Sequence, residues 1–330
     1  MAKTVLITGN AGLLGGRLSS WILEHTHYSV IGIDDLSGGV RENIHPGTIF
    51  YQRDLAEGVD DIFLKHKPCI VYHFAAYAAE GLSPFMRRFN YRNNLVASAG
   101  LISSAIQHDV ERFVFASSMA VYGKRYDPPF DESLIPYPMD PYGIAKYAVE
   151  MDLRVASEQH GLNYTVVRPH NFYGVGQNIW DRYRNVIGIW MYQLIHGLRP
   201  TIYGDGSQTR AFSYVDDALP CFWRASQQEN CIGETINIGG FTPTTILDCC
   251  KTLIEVTGLS FKPYFLEPRH EAHDAFTTYD KSVKLLGFSP KTTLHDGLTE
   301  MWEWARVMPD RLRKSWMEYE MNKNLYEFWK

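Results

Sequence analysis

The chain reads as an α/β protein, a doubly wound parallel sheet followed by a smaller mixed α/β lobe. Three observations carry this. Short apolar, β-branched runs recur at Lys3 to Thr8, Tyr28 to Ile33, Ile49 to Gln52, Cys69 to Phe74, Arg112 to Ala116 and Leu162 to Arg168, which suits strands buried on both faces. Helical patterns alternate with them, as in Leu18, Trp21 and Ile22 after the first run and in the stretch from Asn93 to Gln107, and this alternation predicts parallel strands joined by helices. From Gly176 onward the chain turns polar and aromatic before a helix over Val186 to His196, which predicts a second lobe. Residues 1–174 are therefore assigned to the sheet domain, with segments near 211–240 returning to it, and residues 175–330 mostly to the second lobe and a C-terminal helical tail.

The first run leads into Gly9-Asn10-Ala11-Gly12-Leu13-Leu14-Gly15 and then a helix. Glycines at such a turn let backbone approach a pyrophosphate, and the helix N-terminus favours its negative charge. The second run ends at Asp34, 19 residues after Gly15, where an acid that binds adenosine ribose hydroxyls is expected. Asp34 and Asp35 repel a 2′-phosphate, which favours NAD over NADP. After the third run come Asp54 and Leu55. The fourth enters Phe74-Ala75-Ala76, whose small alanines let a cofactor lie close.

Bulk properties narrow the partners. At 330 residues the chain can bury a large core. With 32 Lys and Arg against 37 Asp and Glu, scattered rather than blocked, nothing predicts a nucleic-acid or membrane-surface protein. The apolar stretch at Val5-Leu6-Ile7 is too short for a signal sequence, so a cytoplasmic location is the expectation. Cys69, Cys221, Cys231, Cys249 and Cys250 form no CxxC pair, which predicts reduced, packed thiols. His270 and His273 lack a recognised ligand spacing, and no metal is expected.

The fifth run delivers Ser117-Ser118-Met119-Ala120-Val121-Tyr122-Gly123, followed by Pro141-Tyr142-Gly143-Ile144-Ala145-Lys146. Tyr142 and Lys146 share one helical face, so the ammonium can favour the phenolate. Lowering a tyrosine from about 10 to near 7 takes about 4 kcal/mol, more than one exposed lysine supplies. A second positive charge is needed, and oxidised nicotinamide would provide it.

The glycine turn resembles the variant found in extended short-chain dehydrogenase/reductases. The serine and tyrosine motifs resemble the NAD-dependent nucleotide-sugar epimerase/dehydratase branch of that family, most like the UDP-glucose 4-epimerases, over most of the chain. The resemblance implies a Rossmann-type sheet, a homodimer formed through the helices starting near Asn94 and Tyr142, and catalysis by Ser118, Tyr142 and Lys146. It also implies cofactor contacts from Asp54, Leu55 and Asn94. Substrate contacts are implied for Asn171, Asn185 and Val186, and for Thr201, Tyr203, Arg210 and Arg269, with Tyr203 stacking on a base and the two arginines clamping a diphosphate. Arg168 is read as either a substrate contact or a structural ion-pair partner. Trp180, Arg182, Tyr183 and Arg184 are read as either sugar contacts or a surface loop.

Departures from the resemblance shape the expected chemistry. Members that eliminate water or decarboxylate carry acids where Met119 and Ala120 stand, and the 3,5-epimerases place a cysteine at Ala120. What remains is reversible hydride transfer at C4 of a nucleotide-diphosphate sugar, a UDP-hexose or UDP-hexuronate. The expected activity is that of a 4-epimerase, with a 4-ketoreductase and a non-catalytic nucleotide-sensing module as the alternatives. The loop Tyr77-Ala-Ala-Glu80-Gly-Leu-Ser83 differs from the lysine-containing loop of well-known UDP-glucose 4-epimerases and leaves the sugar open.

Overall fold

The computed structural model describes residues 3–313, 316 and 318–330, and the six apolar runs become neighbouring strands in it. The first half runs β1 (Thr4–Thr8), α1 (Leu13–His25), β2 (Ser29–Asp34), β3 (Ile49–Gln52), α2 (Asp60–His66), β4 (Ile70–His73), α3 (Arg87–Tyr91), α4 (Ala97–Gln107), β5 (Arg112–Ala116), α5 (Pro141–His160) and β6 (Tyr164–Pro169). The second half runs β7 (Phe172–Tyr173), α6 (Val186–Ile195), β8 (Thr201–Tyr203), β9 (Thr209–Ala211), β10 (Ser213–Tyr214), α7 (Val215–Gln227) and β11 (Thr235–Ile238). It closes with β12 (Pro243–Thr245), α8 (Ile246–Thr257), β13 (Tyr264–Leu266), α9 (Asp280–Leu286) and α10 (Leu294–Ala305).

Seven strands form one sheet in the order β11-β6-β5-β4-β1-β2-β3, and every neighbouring pair is parallel. Successive side chains of β1 face opposite sides and both sides are covered. Val5 and Ile7 pack with Leu18 and Ile22 of α1 and Phe222 of α7, whereas Leu6 packs with Phe63 of α2, Leu101 of α4 and Leu153 of α5. That is why the strand sequences are almost wholly apolar. Strand order reverses between β1 and β4, so the chain leaves the carboxyl ends of β1 and β4 in opposite directions and opens a crevice there. The second lobe has its own core, in which Trp190 and Met191 of α6 meet Leu253 of α8 and Met301 of α10. No helix among the described residues is long and apolar enough to cross a membrane.

One expectation is corrected. The helix read from Asn93 starts earlier, as α3, and passes through a π-helical turn at Arg92–Val96 into α4. Its asparagines are not start signals but bond neighbouring groups, Asn93 Nδ2 to the Phe89 carbonyl and Asn94 Nδ2 to Asn90. The aromatic segment after α10 packs on the body of the protein. Leu325 and Trp329, with Trp316, Tyr319, Tyr326 and Phe328, pack on Tyr77, Leu82, Phe85, Met86 and Tyr183, whereas Lys314, Ser315 and Met317 of that tail lie outside the described residues.

Candidate active site

The β1–α1 turn fits tightly against the exit of β4. Gly9 has φ +70°, and a Cβ there would lie 2.7 Å from the Ala75 nitrogen. A Cβ on Gly15 would overlap the Gly9 carbonyl. Gly12 caps α1 without a side chain, and the first turn holds no acid, so its N–H groups remain available for an anion. Asp34 accepts from the backbone N–H of Ala11 at 3.0 Å and of Leu36 at 2.8 Å. Burial pushes its pKa up and these two bonds oppose the rise. Each carboxylate oxygen keeps acceptor capacity for a ribose hydroxyl. Glycine cradle and acid together fit a dinucleotide cofactor.

One cavity borders Gly9, Gly12, Leu13, Leu14 and Gly15, then Asp34, Asp54 and Leu55, and then Phe74, Ala75 and Ala76. Asp54 is held there by the Ala56 N–H at 2.9 Å and by Arg92 at 2.7 Å. Two residues expected at the cofactor do not border this cavity. Asn10 is fully buried and donates to Ser19 Oγ beneath the turn. Asn94 accepts from the Tyr77 N–H at 2.8 Å and donates to the Tyr77 carbonyl at 3.2 Å, so it shapes the loop after β4 through the backbone.

Ser118, Tyr142 and Lys146 border the same cavity. Asp140 caps α5 by accepting from the Gly143 N–H at 2.9 Å, Pro141 opens the helix, and Tyr142, Lys146 and Glu150 then follow at four-residue spacing on one face. Lys146 Nζ donates to the Ala116 carbonyl at 2.8 Å and lies 5.8 Å from the centre of the Tyr142 ring. Burial brings the Lys146 pKa down to about 7, with Glu150 opposing. Burial foremost, and then the charge of Glu80, raise the Tyr142 pKa, while a hydrogen bond with Ser118 lowers it. Without ligand, Tyr142 is therefore a neutral phenol.

Behind this group lies a buried polar network. Arg168 binds Glu150 through two nitrogens, at 3.0 and 2.6 Å, and Tyr122 OH at 2.8 Å. Tyr122 in turn donates to Asn237 Oδ1, and Ser117 to Glu150. Of the two readings of Arg168, the ion pair is the one its contacts support. His73, between Thr8 Oγ1 at 2.7 Å and Ser98 Oγ at 2.8 Å, is likewise a packed histidine kept neutral by burial.

At the far end, Asn171, Asn185, Val186, Thr201, Tyr203, Arg210 and Arg269 border the same cavity. Asn185 caps α6 through the Ile187 N–H at 3.0 Å and donates to the Phe172 carbonyl at 2.8 Å. Arg269 lies 4.1 Å from the Tyr203 ring centre. Glu271 pairs with both Arg210, at 3.4 Å, and Arg269, at 3.2 Å, so it gathers two guanidinium groups that can face a diphosphate.

The segment from Gln177 to Asn185 is not a surface loop. Asn178 Nδ2 donates to the Gly38 carbonyl at 2.8 Å, and Asn43 Nδ2 donates to the Gly176 and Ala11 carbonyls at 2.7 and 3.0 Å. Arg184 lies 4.4 Å from the Tyr77 ring centre, ion-pairs with Asp181 at 3.3 Å and reaches Gly38. Its charge is placed over the glycine-turn side of the cavity. Arg182 donates to the Phe328 carbonyl, and Phe328 borders the cavity. Glu80, Glu271 and Phe328 are among the wall residues that sequence reasoning missed. The Glu80 loop stood out only by departing from a familiar pattern, and nothing local marked the other two.

This chain matches the sequence profile of the NAD dependent epimerase/dehydratase family over residues 5–239. It is 33% identical to the crystal structure of the Thermotoga maritima UDP-glucose 4-epimerase with UDP-glucose, with a TM-score of 0.86 over 92% of this chain and 98% of that one. The UDP-glucuronic acid 4-epimerase of Bacillus cereus, solved with UDP-glucuronic acid and NAD, is 28% identical, with a TM-score of 0.85 over 92% and 99%. A dTDP-D-glucose 4,6-dehydratase of Bos taurus is 31% identical over 324 residues, 92% of this chain and 89% of the relative. A profile match over most of the chain, joined to a seven-stranded parallel sheet of the same architecture, places this protein in the NAD dependent epimerase/dehydratase family.

Proposed function

We propose that this protein is an NAD-dependent 4-epimerase of a UDP-sugar, a hexose or hexuronate derivative. The observation that carries this reading is the meeting of Ser118, Tyr142 and Lys146 at the cavity, with the buried, non-titrating Met119 and Ala120 standing between Ser118 and Val121. Neither side chain can serve as the base that elimination of water requires.

Bound NAD supplies the hydride acceptor at C4 and the hydride donor on return. The work of the chain is proton management. The Tyr142 oxygen takes the proton of the C4 hydroxyl, Ser118 hydrogen-bonds the same oxygen pair, and Lys146 provides positive charge across the helix face. The resulting 4-keto sugar turns in the cavity and presents its other face, so returning hydride inverts C4 while Tyr142 gives its proton back to O4, and no net oxidation remains. Arg210 and Arg269 hold the diphosphate while the sugar turns.

Purified protein incubated with UDP-glucose, UDP-N-acetylglucosamine and UDP-glucuronate without added cofactor will invert C4 of at least one of them, followed by NMR. An absolute need for added NADH or NADPH, with a reduced product, establishes the ketoreductase instead.

We also propose a homodimer. Ile144, Met151 and Val155 leave large apolar side chains exposed along one side of α5, with Val96 exposed on the adjoining π turn, a stripe suited to helix packing. Light scattering will report twice the 37.8 kDa chain mass, and Met151→Glu will shift it to the monomer.

A further inference from the structure

Glu80 stands on the cavity wall, and its place is fixed from two sides. Ser83 Oγ donates to the Glu80 carbonyl at 2.9 Å and accepts from the Tyr142 N–H at 3.2 Å, which ties the Glu80 turn to the start of α5. On the other side, the Arg269 guanidinium lies 3.4 Å from where a Cβ on Gly81 would be. Tyr142 marks the reacting carbon and Arg269 marks the diphosphate on the anomeric carbon. A residue bracketed by both lies alongside the sugar ring.

Glu80 is an exposed residue that borders the cavity, and among the described residues no side chain hydrogen-bonds or ion-pairs with its carboxylate. The charged groups around it come from several elements: Asp140 at the cap of α5, Arg210 on β9, and Arg269 and Glu271 after β13. The two arginines are already engaged with Glu271. The carboxylate therefore has acceptor capacity to offer whatever occupies the ring position.

We propose that Glu80 is a specificity-determining residue that accepts hydrogen bonds from the sugar ring's substituents and excludes sugars that carry a carboxylate. The inference rests on the 4-epimerase reading of the site and deepens it, because it selects neutral hexoses and N-acetylhexosamines over hexuronates. A pyranose ring is small enough that a C6 carboxylate stays within several ångströms of Glu80 in either orientation, where two like charges in a protein-walled site repel strongly. A hydroxyl or amide N–H at the same distance donates to it. Crowding by protein, and then the charge of Asp140, raise the Glu80 pKa to about 7, with Arg210 opposing. The carboxylate is charged above that pH and neutral below it. Exclusion of an anionic sugar is accordingly strong at pH 8 and fades as the pH falls through 7.

The test compares UDP-glucose with UDP-glucuronate in the wild type and in Glu80→Gln, each as the NAD-loaded full chain. At pH 8 the wild type will favour UDP-glucose in kcat/KM by at least about tenfold, and Glu80→Gln will bring the ratio to within about threefold. The wild-type ratio will also narrow at pH 6. A ratio measured within one protein is insensitive to the fraction that folds. Equal or better use of UDP-glucuronate by the wild type, or a ratio unmoved by Glu80→Gln, overturns the proposal. Calorimetric titration of the same four combinations reads the discrimination without turnover. Charge discrimination that follows Glu80 while no sugar is inverted overturns the 4-epimerase reading and leaves the role of Glu80 standing.

Discussion

Tyr142→Phe will fold, retain its dinucleotide and lose turnover by about 10³-fold, within the range for one positioned proton-transfer group. The ring packing and the backbone bond to Ser83 survive the change, and only the hydroxyl that borders Ser118 and the cavity is removed. The loss will fall on kcat rather than KM, because the proton is transferred in the reacting state. Absorbance at 340 nm on mixing with substrate separates the steps, since no reduced nicotinamide accumulates if removal of hydride from C4 is blocked. Turnover within threefold of the wild type removes Tyr142 from the role of base. The free protein is not poised for this chemistry by itself. Burial keeps the phenol protonated and brings the Lys146 pKa down to about 7, which weakens the positive charge beside it. A further positive charge at the site completes the activation.

Glu150→Ala will destabilise the protein by about 3–5 kcal/mol, the usual result of breaking a buried ion pair from one side. It leaves Arg168, whose side chain is 4% exposed, charged and without its carboxylate, and it removes the acceptor of Ser117. Urea unfolding monitored by circular dichroism will show the lowered midpoint. The double variant Glu150→Ala with Arg168→Met will recover part of the loss, because no uncompensated charge then stays buried. Glu150 also holds the Lys146 pKa up against burial, so its removal shifts that pKa further down. The double variant will therefore remain impaired in turnover even where stability returns.

Legibility in the sequence followed the range of the interactions. The strands, the glycine turn, Asp34 and the Tyr142-Lys146 pair are local patterns, set by strand burial, by backbone approach at a turn and by helical spacing. They could be read without knowing what lay opposite. Arg168 carried two readings because its partner, Glu150, sits on another element and no spacing links them. Asn10 and Asn94 occupied positions next to the cofactor in the chain, yet their side chains turn inward to Ser19 and to the Tyr77 backbone. Residue number gives adjacency but not the direction of a side chain. Glu80 was visible as a departure, and only the fold brought Ser83 and Arg269 to its two sides. The aromatic tail was hardest to read, since its contacts span the chain: Glu320 accepts from the Arg88 N–H across 232 residues.

The double duty of Asp34 has a consequence for attempts to exchange the cofactor. A 2′-phosphate is repelled by this acid, so an engineer seeking NADP use would remove it first. The same two oxygens, however, receive the N–H groups of Ala11 and Leu36, which fasten the glycine turn and the following loop to the end of β2. Discarding the selectivity filter also unties the phosphate cradle it stands beside. A preference for NAD is thus mechanically coupled to the shape of the turn, and reversing it calls for a replacement that restores both acceptors before any arginine is introduced for the extra phosphate.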